Sequence, residues 1–135
     1  MGKLNKVQNF VIDILFWFHV IIVIAWFGLF AIPLSVWSGR IAFHFWYILT
    51  LYASQIVMGL LLLPWSKKYK QACPLTIFMQ LLRGYKISDP QTYNHGFIRE
   101  LGQRIGVKLR PWIVEVLLLI PFIIVTYQYL SIYIF

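Results

Sequence analysis

The chain has 135 residues, of which 61% are apolar and 12% charged, with a formal net charge of +8 and a mean hydropathy of +0.76. A soluble domain averages about 45–50% apolar and about 25% charged residues, so a water-soluble single domain is excluded as the expectation. One cysteine rules out an internal disulfide, and no Cys/His spacing resembles a zinc site.

The first apolar stretch, about residues 10–34, is long enough at about 1.5 Å per residue to cross a hydrocarbon core of about 30 Å. It is too long for the apolar core of a cleaved signal peptide, and Ser35-Val36-Trp37-Ser38 makes a poor cleavage site, so it reads as a span of the mature protein. A short link with Pro33, Ser38, Gly39 and Arg40 turns the chain back into a second span, about 41–63. The third, about 112–134, opens with Pro111, which the first turn of a helix tolerates, and carries Pro121 as a candidate kink. The expected fold class is an all-α membrane protein: three transmembrane helices in a single membrane domain, residues 1–135, with one or two short interfacial amphipathic helices in a basic loop, about 64–111.

Charge sets the expected orientation. Lys3 and Lys6 precede the first span, Arg40 alone lies in the first link, and nine of the twelve cations fall between Ser66 and Arg110. The positive-inside rule then puts the N-terminus and the long loop in the cytoplasm and the C-terminus outside, in a bacterial inner membrane. The chain stops at Phe135, close to the membrane boundary, so no outer domain is expected to follow. Trp37, Trp65, Trp112, Tyr127, Tyr129 and Tyr133 near the span ends fit an aromatic belt. Lys67, Lys68, Lys70, Lys108 and Arg110 sit where the loop meets the membrane, so anionic phospholipid is the expected partner of the charge. No nucleic-acid motif is recognised, and no nucleic-acid partner is expected.

Within the loop, Leu75, Phe78, Met79 and Leu82 recur at i, i+3, i+4 and i+7 and predict a short helix lying in the interface or under the bundle. A second stretch, Phe97 to Ile105, places Phe97, Leu101 and Ile105 on one side, and Ser88-Asp89-Pro90 between the two reads as a turn.

Two histidines fall within spans, His19 near the middle of the first and His44 near the start of the second, and ionisable groups at membrane depth raise a functional hypothesis. A haem b or a quinone is the cofactor alternative they suggest. A single haem shared by the two is disfavoured: if the hairpin turns near Ser35, their depths differ by roughly 12 Å, whereas two axial nitrogens on one iron stand about 4 Å apart. The competing expectation is a neutral His19 hydrogen-bonded across the helix pair to Tyr52 or Gln55, with His44 hydrated at the outer interface. Asp13 and Glu115, just inside their spans, are expected to pair with Lys6, Lys108 or Arg110. Cys73 follows a basic run and precedes a helix start, a setting that stabilises a thiolate; burial and S-acylation are the alternatives to a reactive or ligating role.

Cys73-Pro74-Leu75-Thr76, followed by Leu82-Arg83, Tyr93 and Gly96-Phe97-Ile98, together with His19 and His44 at their places in the spans, resembles an uncharacterised bacterial family of small inner-membrane proteins with a Cys-Pro-Leu-Thr motif. The likeness covers roughly residues 11–105. Met79 departs from it, since the family pattern tends to have a glutamate there, which argues against a carboxylate supplied by this loop. The resemblance carries no activity over. It supports a candidate set of His19, His44, Cys73, Pro74, Leu75, Thr76, Gly96 and Phe97.

Three spans with little mass outside the membrane lead to the expectation of an accessory or structural subunit, without catalysis of its own, in a larger inner-membrane complex whose other subunits are its partners. The alternative is a small haem- or quinone-binding redox protein using the intramembrane histidines.

Overall fold

The computed structural model describes residues 5–94 and 96–135. Helix α1, Lys6–Gly28, starts at a capping box in which the Asn5 side chain accepts from the Gln8 backbone N–H and the Gln8 side chain accepts from that of Asn5. Two otherwise orphaned donors are thereby satisfied. The helix tightens into a 3₁₀ turn, Leu29–Ala31, and a short link leads to α2, Arg40–Leu61. Helix α3, Leu63–Ser66, follows the second span; α4, Pro74–Leu82, α5, Gln91–Asn94, and α6, Phe97–Arg104, come next, and α7, Pro111–Tyr133, continues through Pro121. Helices α1 with its 3₁₀ turn, α2 and α7 are the three elements long and apolar enough to cross a membrane. The protein is an all-α, multi-pass membrane protein, and the described residues contain no strand.

Most large apolar side chains on the spans point outward, among them Phe10, Trp17, Ile21 and Ile24 on α1 and Ile120, Ile123 and Ile124 on α7. Lipid tails cover such surface as well as protein does, so what binds the spans together is close packing and hydrogen bonding. Trp26, Ile48 and Val125 pack at the centre of α1, α2 and α7, with Tyr52 edge-on to both Trp26 and Phe122. The Tyr47 hydroxyl donates across to the carbonyl of Ile22 at 2.8 Å.

Arg40, expected in the outward-facing link between the first two spans, is buried. Its Nη1 donates to the carbonyls of Leu29 and Phe30, both at 3.1 Å, where α1 and its 3₁₀ turn run out of partners. Replacing it with methionine removes the charged donor from both carbonyls and leaves that of Leu29 only the Ile32 N–H at 3.4 Å, and the expected cost is about 1.5–3 kcal/mol, read as a lower thermal midpoint in detergent. Arg40→Lys should recover part of that loss.

The first loop helix, expected in the interface or under the bundle, packs against the bundle. After α3, Lys67 adopts a left-handed conformation, and residues 67–73 run back along α2, with the Ala72 N–H donating to the Gln55 carbonyl and Gln71 Nε2 to Gln55 Oε1. Gly59 makes this approach feasible: a Cβ there would lie 2.5 Å from the Lys70 carbonyl oxygen and 2.9 Å from the Tyr69 ring. Helix α4 is thus delivered between α1 and α2. It buries two faces: Ile77 packs with Leu62 and Ala72, and Met79 packs with Ile12, Phe16 and Phe97. The expected single face Leu75, Phe78, Met79 and Leu82 is therefore only partly right, since Phe78 is half exposed while Ile77 and Gln80 are buried. On α6, Phe97 and Leu101 face this cluster as expected, but the helix ends at Arg104 and Ile105 is exposed. The turn at Ser88-Asp89-Pro90 forms, with the Asp89 N–H donating to the Lys86 carbonyl and the Asp89 carboxylate accepting from the Gln91 N–H.

Candidate functional site

Residues 67–94 and 96–104 fold back onto the bundle and line, with α1, α2 and α7, a partly open cavity of about 310 Å³. That size is at the lower end of small-molecule sites. Its apolar walls include Val23, Trp26, Leu51, Phe97 and Leu118, and His19 and Cys73 line it together.

His19 lies 13 residues into α1, about 20 Å from its start, and only 8% of it is exposed. Its ring is stacked on Phe97, with centroids 3.8 Å apart and planes 8° from parallel. Its Nε2 is 3.7 Å from Cys73 Sγ. The sequence expectation of a bond to Tyr52 or Gln55 is replaced by this contact: Tyr52 is engaged with Trp26 and Phe122, and the Gln55 side chain accepts from Gln71. Cys73 reaches His19 because it is the N-cap of α4, which packs on α1.

The remaining polar groups of the wall are largely satisfied within the chain. Ser54 donates to the Leu51 carbonyl, Thr92 to that of Lys86, and Tyr93 to that of Ile87. His19 Nδ1, in contrast, has no hydrogen-bond partner among the described residues. A buried imidazole nitrogen left unpaired costs free energy.

An electrostatic strap holds Phe97 against His19. Arg83, the C-cap of α4, makes a two-pronged contact with Glu100 of α6, with Nη1 to Oε2 at 2.9 Å and Nη2 to Oε1 at 2.6 Å. Arg104 lies 3.4 Å from Glu100 and 3.7 Å from Asp13, with its guanidinium 3.8 Å from the centre of the Phe16 ring. Burial alone would raise the Glu100 pKa, but the hydrogen bond and charge of Arg83, with Arg104 behind them, outweigh it and hold the carboxyl below its ordinary 4.5. The Arg83 guanidinium is shifted upward by the same contact. Glu100 is thus a paired carboxylate outside the cavity wall, and Met79 packs with Ile12 and Phe16. Asp13 finds Arg104 rather than the expected Lys6, Lys108 or Arg110, and Glu115 is exposed with no ion pair among the described residues.

The other motif residues divide. Pro74, Leu75, Thr76, Gly96 and Phe97 all line the cavity. His44 does not: it is 1% exposed, edge-on to Phe30 at 4.6 Å, with Nε2 unpartnered. The expected hydration of His44 is corrected, because Phe30 and the α1 backbone near Trp26 cover it. Lys67, Lys68, Lys108 and Arg110 are exposed, while Lys70 lies over the Tyr93 ring at 5.0 Å. Among the described residues no cluster of three or more His, Cys, Asp or Glu is placed to hold a metal ion.

The strap residues Glu100, Arg104 and Asp13, and the close approach at Gly59, were not singled out as a group in the sequence. Their signals are four acids against twelve bases, which gives each acid several cations to pair with, and a glycine inside a helix. No family model matches the chain, and neither a curated protein nor a solved structure matches it.

Proposed function

We propose that this chain is a bacterial inner-membrane protein that binds a lipid-soluble quinone in the cavity beside His19, on its own or as an accessory subunit of a larger redox assembly. The observation that carries the reading is His19: a ring more than nine-tenths buried, lining an apolar cavity, with one nitrogen unpartnered. A quinone has what such a site lacks, a flat apolar ring with carbonyl oxygens that accept a hydrogen bond from imidazole N–H. A haem b bridged by His19 and His44 is not supported, because His44 is outside the cavity and His19 Nε2 is already beside Cys73. The positive-inside reading places the cavity end of the bundle at the cytoplasmic face, with Lys67, Lys68, Lys108 and Arg110 exposed to anionic headgroups. The accessory-subunit reading draws on α7, which fully buries only Pro121 and Val125 and so offers a broad apolar face to a partner helix.

The test is a titration of the detergent-solubilised chain with 2-methyl-1,4-naphthoquinone, following quenching of tryptophan fluorescence. Saturable quenching that disappears in Trp26→Phe is expected, and His19→Leu should weaken binding about tenfold, the worth of one hydrogen bond of about 1.4 kcal/mol. Quenching that never saturates, or that is unchanged in His19→Leu, would overturn the quinone site.

A further inference from the structure

We infer that Cys73 is a nucleophilic thiol, served by His19 as its base, that captures a quinone in the cavity as a covalent thioether; the inference rests on the quinone reading above. The thiol and the imidazole come from positions 54 residues apart and meet at 3.7 Å, Sγ to Nε2, on the wall of one cavity. Two observations take Cys73 beyond a cysteine that happens to be near a helix start. The first is this approach of an imidazole nitrogen with the geometry of a nucleophile and its base. The second is that the same imidazole is more than nine-tenths buried and has its other nitrogen unpartnered. Phe97, stacked flat on the ring and held by the Arg83–Glu100 strap, limits how the imidazole can turn away.

With the ring proton on Nδ1, Nε2 is an acceptor for the thiol proton and can pass it on to a quinone oxygen. The step then balances without a further reagent. Sulfur adds to a hydrogen-bearing ring carbon of the quinone, and the thiol proton passes to Nε2 and from there to the carbonyl oxygen. The hydrogen on the attacked carbon moves to the second carbonyl oxygen as the ring becomes aromatic. The two carbonyl carbons are reduced by two electrons in all to the hydroquinone level, and the attacked ring carbon, which exchanges its C–H bond for a C–S bond, is oxidised by the same amount, while the sulfur stays at the sulfide level. This assigns the ligand class more narrowly than binding does: a 1,4-quinone with at least one unsubstituted ring carbon, because a fully substituted ring cannot complete the last step.

The experiment uses the full chain in mild detergent with 2-methyl-1,4-naphthoquinone, which has one such carbon, and reads intact mass and the modified peptide with time. One quinone per chain on Cys73 is expected, with none in Cys73→Ser. His19→Gln should slow the reaction about a hundredfold, the usual contribution of a positioned base. As a check independent of any variant, the folded chain should react faster than the same chain unfolded in dodecyl sulfate at the same pH and quinone concentration. Equal rates in the wild type and a folded His19→Gln, or a faster reaction when unfolded, would overturn the inference. Saturable quenching in Cys73→Ser with no adduct on the wild type would overturn it while leaving the quinone site standing, and absence of both would remove the two together.

Discussion

Gly59→Ala is expected to lift residues 67–73 off α2 and to lower the thermal midpoint of the solubilised chain by far more than one methyl group ordinarily does. The added Cβ would fall 2.5 Å from the Lys70 carbonyl oxygen, which is backbone and cannot swing aside as a side chain would. Overpacking costs about 1–3 kcal/mol where neighbours can relax. Here relaxation means moving the strand of chain that carries Ala72 and Cys73, so the upper end of that range is expected. Two readouts should move together: the unfolding midpoint falls, and Cys73 becomes more accessible to a maleimide as it withdraws from His19. Gly28→Ala is the control, since a Cβ there meets nothing within 4 Å. A Gly59→Ala chain with wild-type midpoint and wild-type maleimide rate would mean that the segment does not seat on α2.

Arg83→Ala is the second large effect. Arg83 and Glu100 have side chains 19% and 18% exposed, so their attraction is only partly screened, and removing one partner leaves the other carboxylate half-desolvated. Breaking a buried pair in this way costs about 3–5 kcal/mol, and the residual exposure places this one near the lower figure. Arg104 stays near Glu100 and softens the loss further. Glu100→Gln should cost less than Arg83→Ala, because the amide keeps the shape and can still accept from Arg83. The strap also predicts a pH dependence. The folded-state pKa of Glu100 lies below its ordinary 4.5, so its stabilisation is fully present above that value and is lost as pH falls through the folded pKa. Acid unfolding monitored by tryptophan fluorescence should therefore show a component below the ordinary carboxylate range that vanishes in Glu100→Gln. An unchanged acid limb in that variant would show that the strap does not stabilise the fold.

Much of the architecture was open to reading along the chain. Span lengths and a continuous apolar run are local, additive properties, and they located all three membrane helices to within a few residues of α1 with its 3₁₀ turn, α2 and α7. The periodicity of residues 74–82 likewise found a helix. It misassigned the helix's faces because a single apolar stripe presumes one neighbour, whereas α4 is wedged between two, and Ile77 and Met79 serve different ones. The depth argument set His19 and His44 apart by the fixed rise per residue, and the two have different surroundings, His19 on the cavity wall and His44 against Phe30; depth alone could not say that Phe30 covers His44.

By itself, then, the amino-acid sequence determined that this is a three-span helical membrane protein with a basic loop and a small set of chemically capable residues. The tertiary structure alone decided which of those residues meet. Cys73 and His19 are 54 positions apart, and their approach depends on a backbone contact at Gly59, a left-handed residue at Lys67 and a strap from Arg83 to Glu100. None of these contacts follows from composition or period, because each is a pairing between distant segments whose free energy depends on where the rest of the loop has already gone.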